Sequence, residues 1–226
     1  MKLTLKEIRP ESSDVTSFLF ESEGDLTWKA GQYLRYTLPH PDADDRGVQR
    51  YFTVSSAPHE RHVRLTTRRA AERGSTFKRA LFALEPGTTV EAEAPAGSFT
   101  IEEPDGRYLL VAGGIGITPF RAILADLARR ERPIAGKLLY ANRNDEIVFR
   151  SELDRLAEAS ADFSIRYLVS PERLDERTLA EEVAALEPTA FYISGPKPMV
   201  DAIQELLLTQ GAPEGAIKRD AFPGYA

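Results

Sequence analysis

The run from Tyr108 to Ala112 is apolar and ends in Gly113-Gly114-Ile115-Gly116, after which Thr118-Pro119 leads into Phe120, Ile123, Leu124 and Leu127 at helical spacing. This reads as a buried strand, a glycine turn and a helix. Thr118 suits the helix cap, because its hydroxyl accepts from a free backbone N–H, and Pro119 suits the first turn, where no N–H is needed. Glycines let a ligand approach the backbone closely. The open N–H groups and dipole of the helix start favour an anion at that point. A turn of this kind serves either as a phosphate site or as a purely structural corner. It is neither the full G-x-G-x-x-G fingerprint nor a P-loop.

The residues after this turn have a regular rhythm. Strand-like runs at Tyr108–Ala112, Lys137–Ala141, Phe163–Val169 and Ala190–Ser194 alternate with helical patterns at Pro119–Glu131, Val148–Ser160, Asp175–Leu186 and Pro198–Gln210. Such alternation predicts a parallel sheet flanked by helices, with a last strand near Ala216–Asp220. The first hundred residues read differently. Short strands at Asp14–Glu21, Gly31–Leu38, Arg50–Ser56, His62–Arg68 and Thr88–Ala94, with one helix from about Thr76 to Leu84, predict a small barrel. Val63, Leu65 and Thr67 alternate with Arg64, Thr66 and Arg68, which predicts one buried and one wet face. The polar link Glu102-Glu103-Pro104-Asp105-Gly106 divides the chain into residues 1–103 and 104–226.

Composition narrows the chemistry. The 226 residues include no cysteine, which excludes disulfides, thiolate metal sites and a cysteine-held iron–sulfur cluster. His40, His59 and His62 show no metal-ligand spacing, so no metal is expected, and His59-Glu60-Arg61-His62 reads as a polar turn entering a strand. A net charge of −6 makes nucleic acid an unexpected partner. No apolar run has bilayer-spanning length. Met1 to Lys6 alternates like a strand rather than a signal peptide, so a cytoplasmic location is the expectation. One basic band runs against the net charge: Arg61, Arg64, Arg68, Arg69, Arg73, Lys78 and Arg79, opposed by Glu72. It reads either as a solvated face or as a docking surface for an acidic protein or anionic cofactor.

Three further stretches carry candidate chemistry. Arg50-Tyr51-Phe52-Thr53-Val54-Ser55-Ser56-Ala57-Pro58 puts a cation, two aromatics and hydroxyls on one strand; it suits a planar heteroaromatic ligand with a charged tail, or an ordinary amphipathic strand. Gly74-Ser75-Thr76-Phe77 opens a helix with small hydroxyl residues. Phe191-Tyr192-Ile193-Ser194-Gly195-Pro196-Lys197-Pro198-Met199 ends a strand in a Gly-Pro turn. Ligands of open parallel sheets sit beyond the carboxyl ends of the strands, so this loop and the glycine turn can face one ligand.

In this order the motifs, with Pro95-Ala96-Gly97-Ser98-Phe99 and Phe222-Pro223-Gly224-Tyr225, resemble the ferredoxin–NADP⁺ reductase superfamily over essentially the whole chain. The resemblance implies an N-terminal antiparallel Greek-key β-barrel holding a flavin and a C-terminal Rossmann-like α/β domain holding NAD(P)H. Arg50 would contact flavin phosphate, Phe52 would lie against the isoalloxazine, and Thr53 would hydrogen-bond near N5. Phe52 stands where relatives carry Tyr, which removes a hydroxyl. Gly74, Ser75 and Thr76 would hold flavin phosphate, and Tyr51 and Thr66 join the cofactor-binding set. Gly113, Gly114, Gly116 and Thr118 match the dinucleotide pyrophosphate site. Ser194-Gly195-Pro196, with Met199, matches the nicotinamide loop, with Ser194 in place of the usual Cys. Asp220 sits where relatives often place an acid; it also reads as a strand-end surface residue. Phe222 would cover the flavin face, with Tyr225 the weaker candidate.

The resemblance implies hydride transfer from NAD(P)H to flavin N5, with Thr53, Ser194, Asp220 and Phe222 as the catalytic set, and onward transfer to a separate ferredoxin, flavodoxin or oxygenase component. Ser170 and Arg173, with Arg143, resemble a 2′-phosphate site and lean the expectation to NADPH, although Glu172 lies between the first two. The polar segment from His40 to Gln49 favours FAD, with FMN the other candidate. A monomer is expected. Two other functions fit the same residues: reduction of free flavin or ferric chelates, and a flavin or nucleotide sensor without turnover.

Overall fold

The structure, a computed structural model, describes residues 1–69, 74–102, 104–132 and 134–222. Its first sheet is antiparallel and contains β1 (Lys2–Pro10), β2 (Val15–Ser22), β3 (Tyr33–Thr37), β4 (Gln49–Thr53), β5 (Val63–Arg68) and β6 (Thr89–Ala92), in the order β4-β3-β6-β1-β2-β5. An isolated bridge between Val54 and Leu65 brings the two edges together, so the sheet closes into a barrel. Closure removes the unpaired edges that a short sheet would expose. Leu3, Leu5, Phe18, Phe20, Leu34, Leu65 and Phe77 fill the barrel, the last of them from helix α1 (Thr76–Phe82).

The second sheet is parallel. Strands β7 (Arg107–Gly113), β8 (Ala135–Asn142), β9 (Phe163–Val169), β10 (Ala190–Pro196) and β11 (Ile217–Phe222) run in the order β11-β10-β7-β8-β9. Helices α2 (Ile117–Arg129), α3 (Arg150–Glu158), α4 (Glu176–Leu186) and α5 (Lys197–Thr209) cover it. The chain winds outward from β7 in both directions, so β7 and β10 flank the switch point where such sheets bind ligands. Each expected strand and helix has its counterpart.

Two local expectations are corrected. Thr118 does not cap the helix. A 3₁₀ turn over Gly114–Gly116 runs directly into α2, Gly116 is the cap, and the buried Thr118 hydroxyl donates to the Ile115 carbonyl at 3.1 Å. Pro119 then falls within the first turn, where its missing N–H still has no partner to lose. The wet face expected on β5 is also absent: Val63, Arg64, Leu65, Thr66 and Thr67 are all buried. The second sheet's domain lies against that face. Val15, Ala30 and Phe99 from the barrel share one apolar cluster with Phe120 and Ile123 of α2, and the Phe99 ring lies 5.5 Å from Phe120 and 5.1 Å from Tyr192. Gly31 leaves room at this seam, since a Cβ there would sit 3.1 Å from Ile123 Cδ1 of α2, as well as 2.0 Å from the Phe99 carbonyl oxygen within the barrel.

Candidate functional site

The carboxyl ends of β7, β10 and β11 meet the end of β4 across the seam between barrel and parallel sheet. Ser194 and Asp220 are register partners on adjacent strands, and the Ser194 hydroxyl donates to Asp220 Oδ2 at 3.3 Å. The Thr53 hydroxyl, arriving from the barrel, lies beside the same carboxyl group and favours its charged form. Ser194 is fully buried and Thr53 is 7% exposed. Burial pushes the Asp220 carboxyl up to about 6, against the opposing pull of the Ser194 and Thr53 hydrogen bonds. Three residues expected to be catalytic therefore meet around one carboxyl group. Phe222 ends β11 opposite Pro196 and packs against the shared apolar cluster; Tyr225 lies outside the described residues.

The glycines divide by role. A Cβ on Gly116 would stand 2.2 Å from the Ser194 carbonyl oxygen, and one on Gly113 would stand 2.3 Å from Met199 Sδ. Gly195, at φ +153°, admits no Cβ either, because Met199 Cε would lie 2.9 Å away. These glycines, with Met199 and Pro196, let the two loops nest against each other. Gly114 differs: at φ +51° a Cβ there would meet only the Arg68 guanidinium, at 3.9 Å. It is the residue of the turn that faces open space with a cation across from it. Gly116→Ala is expected to cost about 1–3 kcal/mol through overpacking, whereas Gly114→Ala leaves the packing intact and costs about 1 kcal/mol through its left-handed backbone alone. Thermal unfolding of the two ligand-free variants separates these outcomes.

On the barrel, β4 places Arg50 and Phe52 on one face, as expected. Phe52 is half-buried, its ring 5.9 Å from Tyr36 and 5.8 Å from Phe77. Tyr51, on the opposite face, is 61% exposed and packs edge-on against Tyr33. Ser75 caps α1, accepting from the Lys78 N–H, and the Gly74 carbonyl accepts from Arg79. Thr66 is buried, its hydroxyl shared between Ser17 and Ser55, each at 2.7 Å. Its hydroxyl thus already has two partners within the barrel wall.

The expected phosphate donors already grip an anion. Asp44 accepts from Arg50 Nη2 at 2.7 Å and from the Thr76 backbone N–H at 3.2 Å, while its own N–H donates to the Thr76 hydroxyl at 3.0 Å. The bonds to Arg46, Thr76 and Arg50 hold its carboxyl far below the usual carboxylate range, although burial opposes them. Arg50 Nε is buried without a partner, so the guanidinium has donor capacity to spare. These groups therefore have the donors to hold an oxyanion. That is the fit required of residues that hold flavin phosphate.

The outlying candidates are exposed. Arg143 follows β8, and Ser170 and Arg173 follow β9. Glu172, the acid between the last two, is turned onto Arg166 at 2.7 Å. The basic band does not form one surface. Arg64 is 4% exposed and paired with Glu11, Arg68 pairs with Asp14, and Arg73 lies outside the described residues. Arg61 and Arg69 remain at the surface. Sequence reasoning missed Arg68 as a site cation, Asp44 as the internal anion, and the pair Glu60 and Arg121 below the cleft. Arg121 had a signal: it occupies an apolar-stripe position of α2 between Ile117 and Leu124. Among the described residues, no helix is long and apolar enough to cross a membrane.

Two family models match the chain: an oxidoreductase FAD-binding domain over residues 2–101 and an oxidoreductase NAD-binding domain over residues 110–205. A flavohemoprotein of Burkholderia sp. (strain TH2) is 29% identical over 94% of this chain and 56% of its own length. The ferredoxin reductase component of 3-ketosteroid-9-alpha-monooxygenase from Rhodococcus rhodochrous is 29% identical over 97% of this chain and 64% of its own. The chain thus spans under two thirds of these relatives. Among solved structures, the FAD/NAD-binding domain of nitric oxide dioxygenase from Vibrio cholerae superposes with a TM-score of 0.85 at 26% identity, covering 98% of both chains.

Proposed function

Because the chain belongs to the ferredoxin–NADP⁺ reductase superfamily of FAD- and NAD(P)-binding oxidoreductases, we propose that it takes electrons from NADPH onto FAD and delivers them to a separate redox protein. The division of labour follows the two sheets, with residues 1–103 as the flavin domain and 104–226 as the nicotinamide domain. The observation that carries the reading is the meeting of Thr53, Ser194 and Asp220 between the oxyanion pocket on the barrel and the glycine turn on the parallel sheet.

When bound, the flavin accepts a hydride from the nicotinamide and releases electrons one at a time. The chain binds, orients and shields. Arg50 and the Thr76 N–H would hold the flavin phosphate, and Phe52, braced by Tyr36 and Phe77, would offer an apolar wall to the ring system. Thr53 presents its hydroxyl at the cleft. Gly114 and the first N–H groups of α2 receive the dinucleotide pyrophosphate, with Arg68 reaching across from the barrel. Ser194 and Asp220 border the nicotinamide, and Asp220 holds or releases a proton there near pH 6. Phe222, at the end of β11, covers the flavin face. NADPH is favoured over NADH because the exposed Ser170 and Arg173 are left to a 2′-phosphate once Glu172 is engaged by Arg166.

Anaerobic stopped-flow reduction with each nicotinamide, after identification of the released flavin by mass, tests this. The expected result is FAD in the purified protein and bleaching with NADPH at higher kcat/KM than with NADH. A yellow protein that bleaches with neither would end the enzyme reading. Arg68→Ala is expected to raise KM for NADPH about tenfold, through a lost charge-assisted contact of about 1.5–3 kcal/mol, with FAD content unchanged. Steady-state kinetics on the flavin-loaded variant checks it.

One observation favours a second reading. Asp44 occupies the phosphate donors, so bound flavin must compete with a carboxylate, which suits a flavin that exchanges as a substrate in a free-flavin reductase. Retention of FAD through gel filtration separates the two: a resident flavin stays with the protein, an exchanging one is lost.

A further inference from the structure

Below the cleft, one guanidinium ties together the two halves of the site. Arg121, on α2 just beyond the glycine turn, is 4% exposed. Its Nη1 donates to the Ser55 carbonyl at 3.1 Å and to Glu60, and its Nη2 donates to Glu60 at 2.8 Å and to Glu152 at 2.5 Å. Ser55 and Glu60 belong to the barrel; Arg121 and Glu152 belong to the parallel-sheet domain. Ser55 lies two residues after Thr53, on the same extended stretch, so the carbonyl that Arg121 grips fixes where the Thr53 hydroxyl sits relative to the glycine turn.

The seam continues beyond this group. The Phe149 ring lies 4.7 Å from the Arg64 guanidinium of the barrel and 6.0 Å from Arg121, between two buried cations. Arg64 is in turn fixed by Glu11 and by the Ser17 hydroxyl at 3.0 Å. Phe149 adopts φ +63°, a left-handed conformation uncommon for a bulky side chain and kept only where surroundings enforce it. Burial pushes Glu60 upward, but its bonds from Arg121 outweigh this and leave it below the usual carboxylate range. The apolar contacts of Phe99 press the domains together. The Arg121 fork adds direction, because a planar guanidinium satisfies three acceptors at fixed angles.

We propose that Arg121 is a positioning residue for hydride transfer: by joining Ser55 and Glu60 to the helix that starts at the glycine turn, it sets the distance between the flavin and nicotinamide subsites. It touches neither subsite, so it acts through the domain seam. The inference rests on the flavin lying beside Thr53, and the tests below separate the two.

Arg121→Lys keeps the charge that Glu60 and Glu152 require but loses the fork. Hydride transfer is steeply sensitive to misplacement, where about 1 Å can cost 10²-fold. The expected result is a flavin-reduction rate lowered about tenfold or more, with KM for NADPH within about twofold of wild type. A second readout needs no flavin or nucleotide. Trp28 is the single tryptophan of the chain, and its indole N–H donates to the Ser56 carbonyl within the barrel, whereas far-ultraviolet circular dichroism reports both sheets. In wild type the two probes should trace one unfolding transition; in Arg121→Lys they should separate. Glu60→Gln, which keeps the shape of the acceptor, should shift both readouts the same way by less. A rate within twofold of wild type with coincident transitions would overturn the proposal, as would a variant that changed KM alone. If wild-type protein itself is not reduced, the functional reading has failed, and the unfolding experiment still decides whether Arg121 couples the domains.

Discussion

Asp220→Asn should make the ligand-free protein more stable above pH 6 while slowing flavin reduction. Burial lifts the Asp220 carboxyl to about 6 from an ordinary value of 3.8. Below about pH 4 the group is protonated in both the folded and unfolded chain, so it costs nothing. Between about pH 4 and 6 the folded protein keeps a proton that the unfolded chain has released, and stability falls as pH rises through that window. Above 6 the full penalty applies, on the order of 3 kcal/mol. Asparagine keeps the shape and the hydrogen-bonding capacity toward Ser194 and Thr53 without the charge. The melting temperature at pH 8 should rise by roughly 5–10 °C, with little change at pH 4. An equal shift at both pH values would show that ionisation is not the cause. The same substitution should lower the reduction rate by about 10- to 100-fold and remove a step near pH 6 from its pH profile. A carboxylate kept in the seam at a cost to stability fits the role in proton handling proposed for it.

The parts of this molecule legible from sequence are those set by local period and local backbone need. The apolar runs of β7 to β10, the glycine turn and the α2 stripe follow from neighbours a few residues away, and so does the side alternation of Arg50 and Phe52. What failed depends on contacts across the fold. Alternation along β5 correctly separated Leu65 from Arg64 but could not show that a second domain covers the Arg64 side, with Phe149 against the guanidinium. Thr118 and Pro119 have the right chemistry for a helix start, yet the tight Gly114–Gly116 turn begins the helix earlier. Thr66 reads as a cofactor-binding candidate by resemblance alone; its hydroxyl partners, Ser17 and Ser55, come from other parts of the chain, Ser17 from the neighbouring strand β2. Glu60 reads as a turn residue because Arg121, which gives it its role, lies 61 positions along the chain. The meeting of Thr53, Ser194 and Asp220 was legible for another reason: each stands at or near a strand end, and topology carries those ends to one seam.

Flavin affinity should move in opposite directions when the two partners of the phosphate pocket are changed. Arg50→Gln removes a guanidinium whose side chain is only 15% exposed and which anchors the site, and FAD binding should weaken about 100-fold, consistent with a charge-assisted contact of about 1.5–3 kcal/mol. Asp44→Asn removes the competing charge. Because Asp44 holds the same Arg50 Nη2 and Thr76 N–H that the phosphate needs, FAD binding should tighten about tenfold. Riboflavin, which has the ring system but no phosphate, should bind both variants as it binds wild type. That control separates an effect on the anion pocket from a general loosening of the barrel. In the double variant the gain from Asp44→Asn should vanish, since the charge it frees has gone; this non-additivity is the signature of two groups acting through one contact. Fluorescence titration of the ligand-free proteins with FAD and riboflavin measures all four. If Asp44→Asn weakened FAD binding instead, the carboxylate would be part of the scaffold that aims Arg50, and the pocket would admit phosphate beside Asp44 rather than in its place.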